Sequence, residues 1–544
     1  MVEAGRRRGT PWVLCTLTIS MLGIGYAWAA QFARVPSLLE NMGLSDEGVS
    51  LAFLAGPICG LLVQPIVGTL SDQTKTRWGR RRPWIFASVG LVFASFVAIG
   101  DAYAVGEILG DRGRRRPRAI AVTISAFWVL DFSQNAVQLP SRTLVSDVLV
   151  PEDVAAGNAM FSLFDGCGKL ASYALAASTL NAFKLVEDEP DFASDARVQF
   201  GIAAVVAIVC VGITLIAVTE PPAPPVGAAR SVRDAAARAW SLAIKVVVFQ
   251  DARSSKGYEL VSLHDNKRAT DVVDDDDDEW SKKKEDDLDD EDRAPPSSDE
   301  ASLEILRRMC LTELGLWFGL SAWQVWGAIL VGKSIMDGEP AGSPGSTEGD
   351  REKFDAGVLL FSLGLAAANL VSLLLAPVYP ALLRLLGARR MLLSASLAMA
   401  ALMAALAAVP VLSATTYLDR DADTSSSFAL VSQDPRFFAT VLLLAALGFP
   451  WAAHMNVPFS TIGRAYQDSP DVGLYMATLN TSLCVAQLAM SFSTPILIRL
   501  ARGSVTAAFS AGALAGLFAA YHAAKLEVPY DEAARPLRAA TASH

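Results

Sequence analysis

Charge is scarce in this sequence. Asp, Glu, Lys and Arg make up 19% of its 544 residues, where a soluble globular chain carries about 25%. Apolar residues reach 52% and fall into runs of about 20, the length an α-helix needs to cross a hydrocarbon core. A string of soluble domains is therefore excluded. Cysteine is scarce too: Cys15, Cys59, Cys167, Cys210, Cys310 and Cys484 lie in or beside apolar runs without C-x-x-C spacing, which argues against a disulfide framework and a zinc site. Nucleotide loops are missing. Gly166-Cys-Gly168-Lys169 ends like a phosphate-binding loop but lacks the leading Gly and the Ser/Thr, and it falls inside an apolar run. With no paired intramembrane aspartates either, neither an enzyme nor a cofactor nor a nucleic-acid partner is expected. The net charge of −10 is concentrated in one segment and says little about partners.

No cleavable signal peptide is expected. Arg6, Arg7 and Arg8 precede an apolar run at 11–33 that is too long for an h-region and has no small-residue cleavage site. It reads as a retained first span with the N-terminus held in the cytoplasm. Further runs fall at 48–70, 84–100, 119–146, 156–180 and 199–219, then at 306–332, 355–378, 391–413, 437–460, 473–498 and 504–524. Between the two sets lies a polar stretch with Asp274-Asp-Asp-Asp-Asp-Glu279 and Lys282-Lys-Lys-Glu-Asp-Asp287. Carboxylate runs without Gly-punctuated ligand spacing read as a solvated linker rather than a calcium site. The predicted fold is an all-α membrane protein with twelve transmembrane helices in two six-helix bundles. Residues 1–220 form the first bundle, 221–303 a cytoplasmic acidic disordered linker, 304–525 the second bundle and 526–544 a cytoplasmic tail.

Basic residues set the orientation. Lys75, Arg77, Arg80, Arg81, Arg82, Arg384, Arg389, Arg390, Arg535 and Arg538 fall on the cytoplasmic side with both termini, while Glu187-Asp-Glu-Pro-Asp191 faces the other way. One loop disagrees: Arg112, Arg114, Arg115, Arg116 and Arg118 fall outside, so either the rule is locally overridden or the third span is wrongly drawn. An internal repeat supports paired halves. A shift of 318 positions superposes Pro140 on Pro458, Thr143 on Thr461, Asp153-Val154 on Asp471-Val472, Ala159 on Ala477 and Leu170 on Leu488.

The fourth span carries the densest chemistry, from Phe127-Trp-Val-Leu-Asp131 to Asn135, Gln138, Pro140, Arg142 and Asp147. At ~100° per residue, Asn135, Gln138 and Arg142 lie within ~40° of Asp131 on one helix face. A carboxylate inside a membrane normally faces a cavity or a partner. The bland alternative is a helix-to-helix tie. Amides and a carboxylate also offer the mixed donors and acceptors that a polyhydroxyl substrate needs. Desolvation disfavours a charged carboxyl and a nearby cation favours it, so Asp131 can change protonation as water and substrate come and go. Arg142 sits about 16 Å further along the axis, too far for a direct ion pair; it either snorkels to the interface or lines the path.

A second segment runs Gly56-Pro-Ile-Cys-Gly60, Val63-Gln-Pro-Ile-Val-Gly68, Ser71-Asp72, then Arg77-Trp-Gly79-Arg80-Arg81-Arg82-Pro83. Small residues permit close helix approach, and Asp72 with Arg77, Arg80 and Arg81 can lock neighbouring helix ends as a cytoplasmic gate. The spacing of Gly68, Asp72, Gly79 and Arg80 is the major facilitator loop signature. With Phe354-Asp-Ala-Gly357, Gly387-Ala-Arg389, Gly448-Phe-Pro450 and Val457-Pro-Phe459 in the second half, the chain resembles the sucrose–proton symporters of plants and their animal sugar-carrier relatives. These form the glycoside–pentoside–hexuronide branch of the major facilitator superfamily. The resemblance implies proton-coupled transport of sucrose or a related glycoside, without a cofactor, in a lipid bilayer, with the plasma membrane favoured over an internal one. It implies that Asp131 takes the proton and contacts the sugar, that Arg142 takes part in transport, and that Gln31 lies in the cavity. A passive facilitator and a non-transporting sensor of the same fold are the alternatives. Oligomeric state is not legible.

Three positions depart from that family. Asp165 and Lys169, four residues apart, can neutralise each other, or Lys169 enters the cavity and alters the substrate. Arg34 late in the first span is also unexpected. His454 either shuttles protons or makes a structural hydrogen bond.

Overall fold

The computed structural model describes residues 7–150, 153–177, 190–220, 298–413, 435–465 and 472–528. The expected acidic linker, residues 187–189 of the acidic loop, Arg535 and Arg538 lie outside them. Among the described residues the elements are helical, and eleven helices are long and apolar enough to cross a membrane. In the first half these are α1 (Pro11–Asn41), α2 (Ala55–Gln73, entered through a short helix at Asp46–Ala52), α3 (Arg82–Gly100), α4 (Pro117–Val148) and α6 (Asp191–Ala217). The second half holds α7 (Ser298–Ile329), α8 (Glu348–Leu375), α9 (Tyr379–Ser413), α10 (Pro435–Ala446 with Gly448–Ala465), α11 (Val472–Leu500) and α12 (Thr506–Ala524). The twelfth helix is α5, Val154–Ala176; its 23 residues extend ~35 Å at 1.5 Å per residue. The chain is thus an all-α membrane protein of twelve helices in two bundles of six.

The helices overrun the apolar runs at several ends. α1 continues past the expected residue 33 to Asn41, with Pro36 inside it. α7 starts inside what reads as polar connector and ends in a π-helical turn, Leu330–Ile335. Polar end residues are stabilised by caps that hydropathy does not register. Ser45 accepts the Gly48 N–H ahead of Asp46 and Glu47 in the first turn of the short helix, and Thr347 and Asp350 form a capping box at α8. α9 is broken at Gly387, whose φ of 80° suits glycine alone among common residues.

Odd-numbered helices start on the face that carries the N-terminus, here the N-face; even-numbered ones start on the distal face. The disputed arginine loop lies between α3 and α4 on the distal face, away from Arg80, Arg81 and Arg82, so the third span stands as drawn. Several of its arginines are tied down. Arg116 pairs with Glu107 at 3.0 Å and Arg118 with Asp111 at 3.9 Å. Arg114 donates to the carbonyls of Ser343 and Ser346, each at 3.2 Å, in the other half.

The two halves meet in matched pairs. α2 packs on α11, and α5 packs on α8. A Cβ at Gly60 would sit 2.7 Å from the Cys484 sulfur, and one at Gly166 would sit 2.9 Å from Leu373. The 318-residue shift maps α5 onto α11, and Pro140 and Pro458 both lie inside helices, α4 and α10. Within the first half, α1 crosses α5 at van der Waals distance because Gly25 and Gly168 lack side chains: Cβ atoms there would lie 2.5 Å from the Asp165 carbonyl oxygen and 2.1 Å from the Leu22 carbonyl oxygen. Gly168→Val should thus remove most of the monodisperse peak in detergent size-exclusion chromatography. Gly212→Val, with nothing within 4 Å of its Cβ position, should leave it unchanged.

Candidate functional site

After Arg118 at its start, α4 carries no charged side chain for three turns, so Asp131 is carried to mid-helix and buried, at 1% exposure. The Gln31 amide of α1 donates to Asp131 Oδ1 at 3.1 Å. Oδ2 has no N–H or O–H donor, and the thiol of Cys59 on α2 is the other polar group that approaches the carboxylate. Gln31 Oε1 is also buried without a partner, as are both amide atoms of Gln134, one turn further along α4. A buried polar atom left without a hydrogen bond costs about 1–3 kcal/mol. Four such atoms on adjacent turns of α1 and α4 are groups built to meet a guest: a proton, water or a hydroxyl.

The rest of the expected stripe divides. Asn135 is buried but donates back to the Asp131 carbonyl at 2.9 Å, spending an amide hydrogen on its own helix. Gln138 is half-buried. Arg142 does not reach Asp131. Its guanidinium lies 5.7 Å above the Phe161 ring of α5, within the electrostatic range of Asp165. Gln134 lies ~60° from Asp131 on the helix wheel, at the margin of the stripe, where periodicity does not single it out.

Asp165 and Lys169 form the ion pair their spacing allows, at 2.6 Å, with 16% and 13% of their side chains exposed. Lys169 also lies 5.7 Å from the ring centre of Trp451 on α10. Lys169 is thus paired within its own helix and stands beside an aromatic ring of the other half. Arg34 donates to the Ala176 carbonyl at 2.9 Å, lies 4.0 Å from Asp195 and is within electrostatic range of Asp355 on α8 of the other half.

His454 has a partner that the sequence did not reveal. Its Nδ1 meets Glu313 Oε2 of α7, and the two side chains are 2% and 0% exposed. The imidazole stacks on Trp317 at 4.8 Å, and Trp451 lies 6.1 Å away. A Glu inside an apolar span is itself the signal that could have found it.

On the N-face, Arg80 and Arg81 clasp Asp147 at 2.7 and 3.2 Å, and Arg81 bonds Ser71 Oγ at 2.5 Å. The backbone N–H of Arg81 donates to both oxygens of Glu220, at 3.1 and 3.0 Å. Gly79 turns at φ 100°, and a Cβ there would lie 2.1 Å from that carboxylate. Glu220, assigned to the first bundle's last position, is thus part of the lock. Arg77 is exposed, and the side chains at 68 and 72 lie outside the described set. On the distal face the ties run between halves: Lys333 to Glu40 at 3.2 Å and to Asp46 at 2.8 Å, Arg499 to Glu47 at 3.1 Å, and the Ala341 N–H to Asn41 at 2.9 Å.

Known proteins match this architecture. Residues 17–416 match the Major Facilitator Superfamily profile. The sucrose transport protein SUC3 of Arabidopsis thaliana is 27% identical over 535 residues, spanning 92% of this chain and 87% of that protein. The sucrose transport protein SUT3 of Oryza sativa subsp. japonica is also 27% identical, spanning 86% of this chain and 83% of its own. Among solved structures, a POT family transporter in complex with a thioalcohol conjugated peptide aligns over 93% of this chain and 94% of its own, with a TM-score of 0.58 at 11% identity. The xylose transporter XylE from E. coli aligns over 94% and 97%, with a TM-score of 0.55 at 11% identity. At such identities the structures speak for the fold alone. Because the family profile spans well over half of the chain, and the twelve helices pair across two related halves, this chain belongs to the Major Facilitator Superfamily.

Proposed function

We propose that this protein is a proton-coupled secondary transporter of sucrose or a related glycoside, and that Asp131 carries the coupling proton. The observation that carries the reading is the buried Asp131 carboxylate, with one oxygen held by Gln31 and the other without an N–H or O–H donor. Protonated, it can donate to a sugar hydroxyl; ionised, it can only accept. Binding of sugar and binding of a proton are thereby linked at one group. The unpartnered amide atoms of Gln31 and Gln134 supply further donors and acceptors, and Asn135, Gln138 and Arg142 extend the path toward the N-face. The names of the sucrose transport proteins among its relatives support the same substrate class, and the relatives are transporters rather than enzymes.

The distal ties between Lys333, Arg499 and their carboxylate partners hold that end of the two halves together, while Asp131 stays buried from the N-face. The arginines at 80, 81, 82, 384, 389 and 390 lie on that face, and the positive-inside rule makes it cytoplasmic. Rocking about the central site breaks the distal ties and exposes Asp131 to the other side. We place the carrier in the plasma membrane with both termini cytoplasmic. The test is uptake of radiolabelled sucrose into proteoliposomes. Accumulation above the external concentration under an inside-alkaline pH gradient supports the reading; equilibration to the external level with or without the gradient identifies a passive facilitator.

Residues 221–303 read from the sequence as a tether. Deleting 274–292 should therefore change the initial uptake rate by less than about twofold, since such a segment adds no packed contact. A large loss of rate in correctly inserted protein would assign it a regulatory role.

A further inference from the structure

The second half contains an aromatic cluster that the Asp131 group does not use. Trp317 of α7 stacks on the His454 imidazole of α10 at 4.8 Å and tilts against Trp451 at 5.8 Å. Trp323, less than two turns further along α7, meets Trp451 edge-on at 6.3 Å. Three polar atoms on this stretch of α7 are buried without a hydrogen-bond partner: Glu313 Oε1, Ser321 Oγ and Trp323 Nε1. Other indoles of the protein are not left so. Trp84 donates to Thr74 Oγ1 at 2.8 Å and Trp128 to the Ala52 carbonyl at 3.1 Å. Trp326, next to Trp323 on α7, donates to Thr494 Oγ1 at 3.0 Å. A buried Trp N–H normally finds a partner, and three unmet atoms within three turns of one helix are a departure that packing does not explain. We propose that Trp317, Trp323 and Trp451, with Glu313 and Ser321, form a second sugar subsite, which holds one ring of a disaccharide while the Asp131 group holds the other.

The chemistry on offer selects the ligand. A sugar ring has apolar C–H faces and a rim of hydroxyls. The indoles supply flat apolar faces, while Glu313 Oε1 supplies an acceptor, Trp323 Nε1 a donor and Ser321 Oγ a group that is either. An anion would meet the Glu313 carboxylate. A cation would find the place beside Trp451 taken, because Lys169 lies 5.7 Å from that ring, paired with Asp165 at 2.6 Å. A neutral, hydroxyl-rich ring meets neither obstacle.

The same lysine locates the subsite relative to Asp131. Its partner Asp165 lies against Gly25 of α1, where a Cβ would sit 2.5 Å from the Asp165 carbonyl oxygen. Gln31, the donor to Asp131, follows less than two turns later on α1. α7 in turn packs on both α1 and α10. The two groups therefore belong to helices that touch across the boundary between the halves. A disaccharide held by both is gripped by each half at once, so its occupancy bears directly on the rocking step.

The inference rests on the sucrose-transport reading above, and the test separates the two. Counterflow of radiolabelled sucrose in proteoliposomes gives the half-saturation for the disaccharide. Methyl α-glucoside, whose one ring needs only the Asp131 group, serves as the competing probe. Trp323→Phe keeps an aromatic face and removes the N–H, and Ser321→Ala removes the hydroxyl. Each is expected to raise the sucrose half-saturation about three- to tenfold, with the maximal rate within about twofold of wild type. The inhibition constant of methyl α-glucoside should stay unchanged, which also certifies that each variant is folded. An unchanged sucrose half-saturation in both variants, or an equal rise for both sugars, overturns the subsite and leaves the transport reading standing. A wild type without sucrose counterflow overturns both.

Discussion

Asp131→Asn is expected to abolish sugar accumulation while leaving sugar exchange intact. The amide keeps the size of the carboxylate and can still hydrogen-bond to Gln31, which now donates to Asp131 Oδ1 at 3.1 Å. It cannot gain or lose a proton near neutral pH, so the linkage between sugar and proton is cut. The effect should appear as a collapse of the steady-state ratio to about one under an imposed pH gradient, with counterflow reduced by less than about tenfold. Insertion should be unaffected, because Asn is the less costly residue to bury. Full pH-driven accumulation by this variant would remove Asp131 from the coupling role.

The second large effect concerns Asp165 and Lys169. At 2.6 Å and mostly buried, the pair behaves as one neutral unit. Removing one partner leaves a buried uncompensated charge, which costs about 3–5 kcal/mol. Asp165→Met leaves Lys169 with only the Trp451 ring, whereas Lys169→Asn leaves Asp165 within the field of Arg142. The aspartate change should therefore be the more damaging, with about tenfold or greater loss of transport, and the lysine change the milder. Asp165→Met combined with Lys169→Asn should transport better than either single change, since a coupled pair is strongly non-additive. Competition by unlabelled sugars completes the comparison. If Lys169→Asn alone is harmless yet shifts sugar preference, the lysine acts on the substrate rather than as half of a pair.

The helices were legible because membrane spans announce themselves by length and hydropathy, and because charge placement and the 318-residue repeat agree on their order. Asp131 was legible for the same reason: a carboxylate in a 32-residue helix is costly enough to need an explanation. What escaped depends on the third dimension. Glu313 finds its partner 141 residues away, a distance no helix periodicity encodes. Asn135 shares a face with Asp131 but turns its amide into its own backbone, a choice set by rotamer rather than by spacing. The carboxylate and carbonyl partners of the arginine loop lie on other turns and in the other half, where no sequence pattern places them. Glu220 sat at the edge of a charged stretch, where one structural carboxylate cannot be told from its solvated neighbours.

Coupling itself can be read without labelled sugar or an imposed gradient. Proteoliposomes loaded with a pH-sensitive dye, with equal pH on both sides and potential clamped, receive an inward sucrose gradient. Sucrose entering with protons acidifies the lumen, and the acidification disappears in Asp131→Asn; sucrose entering with no change in lumenal pH would contradict the account.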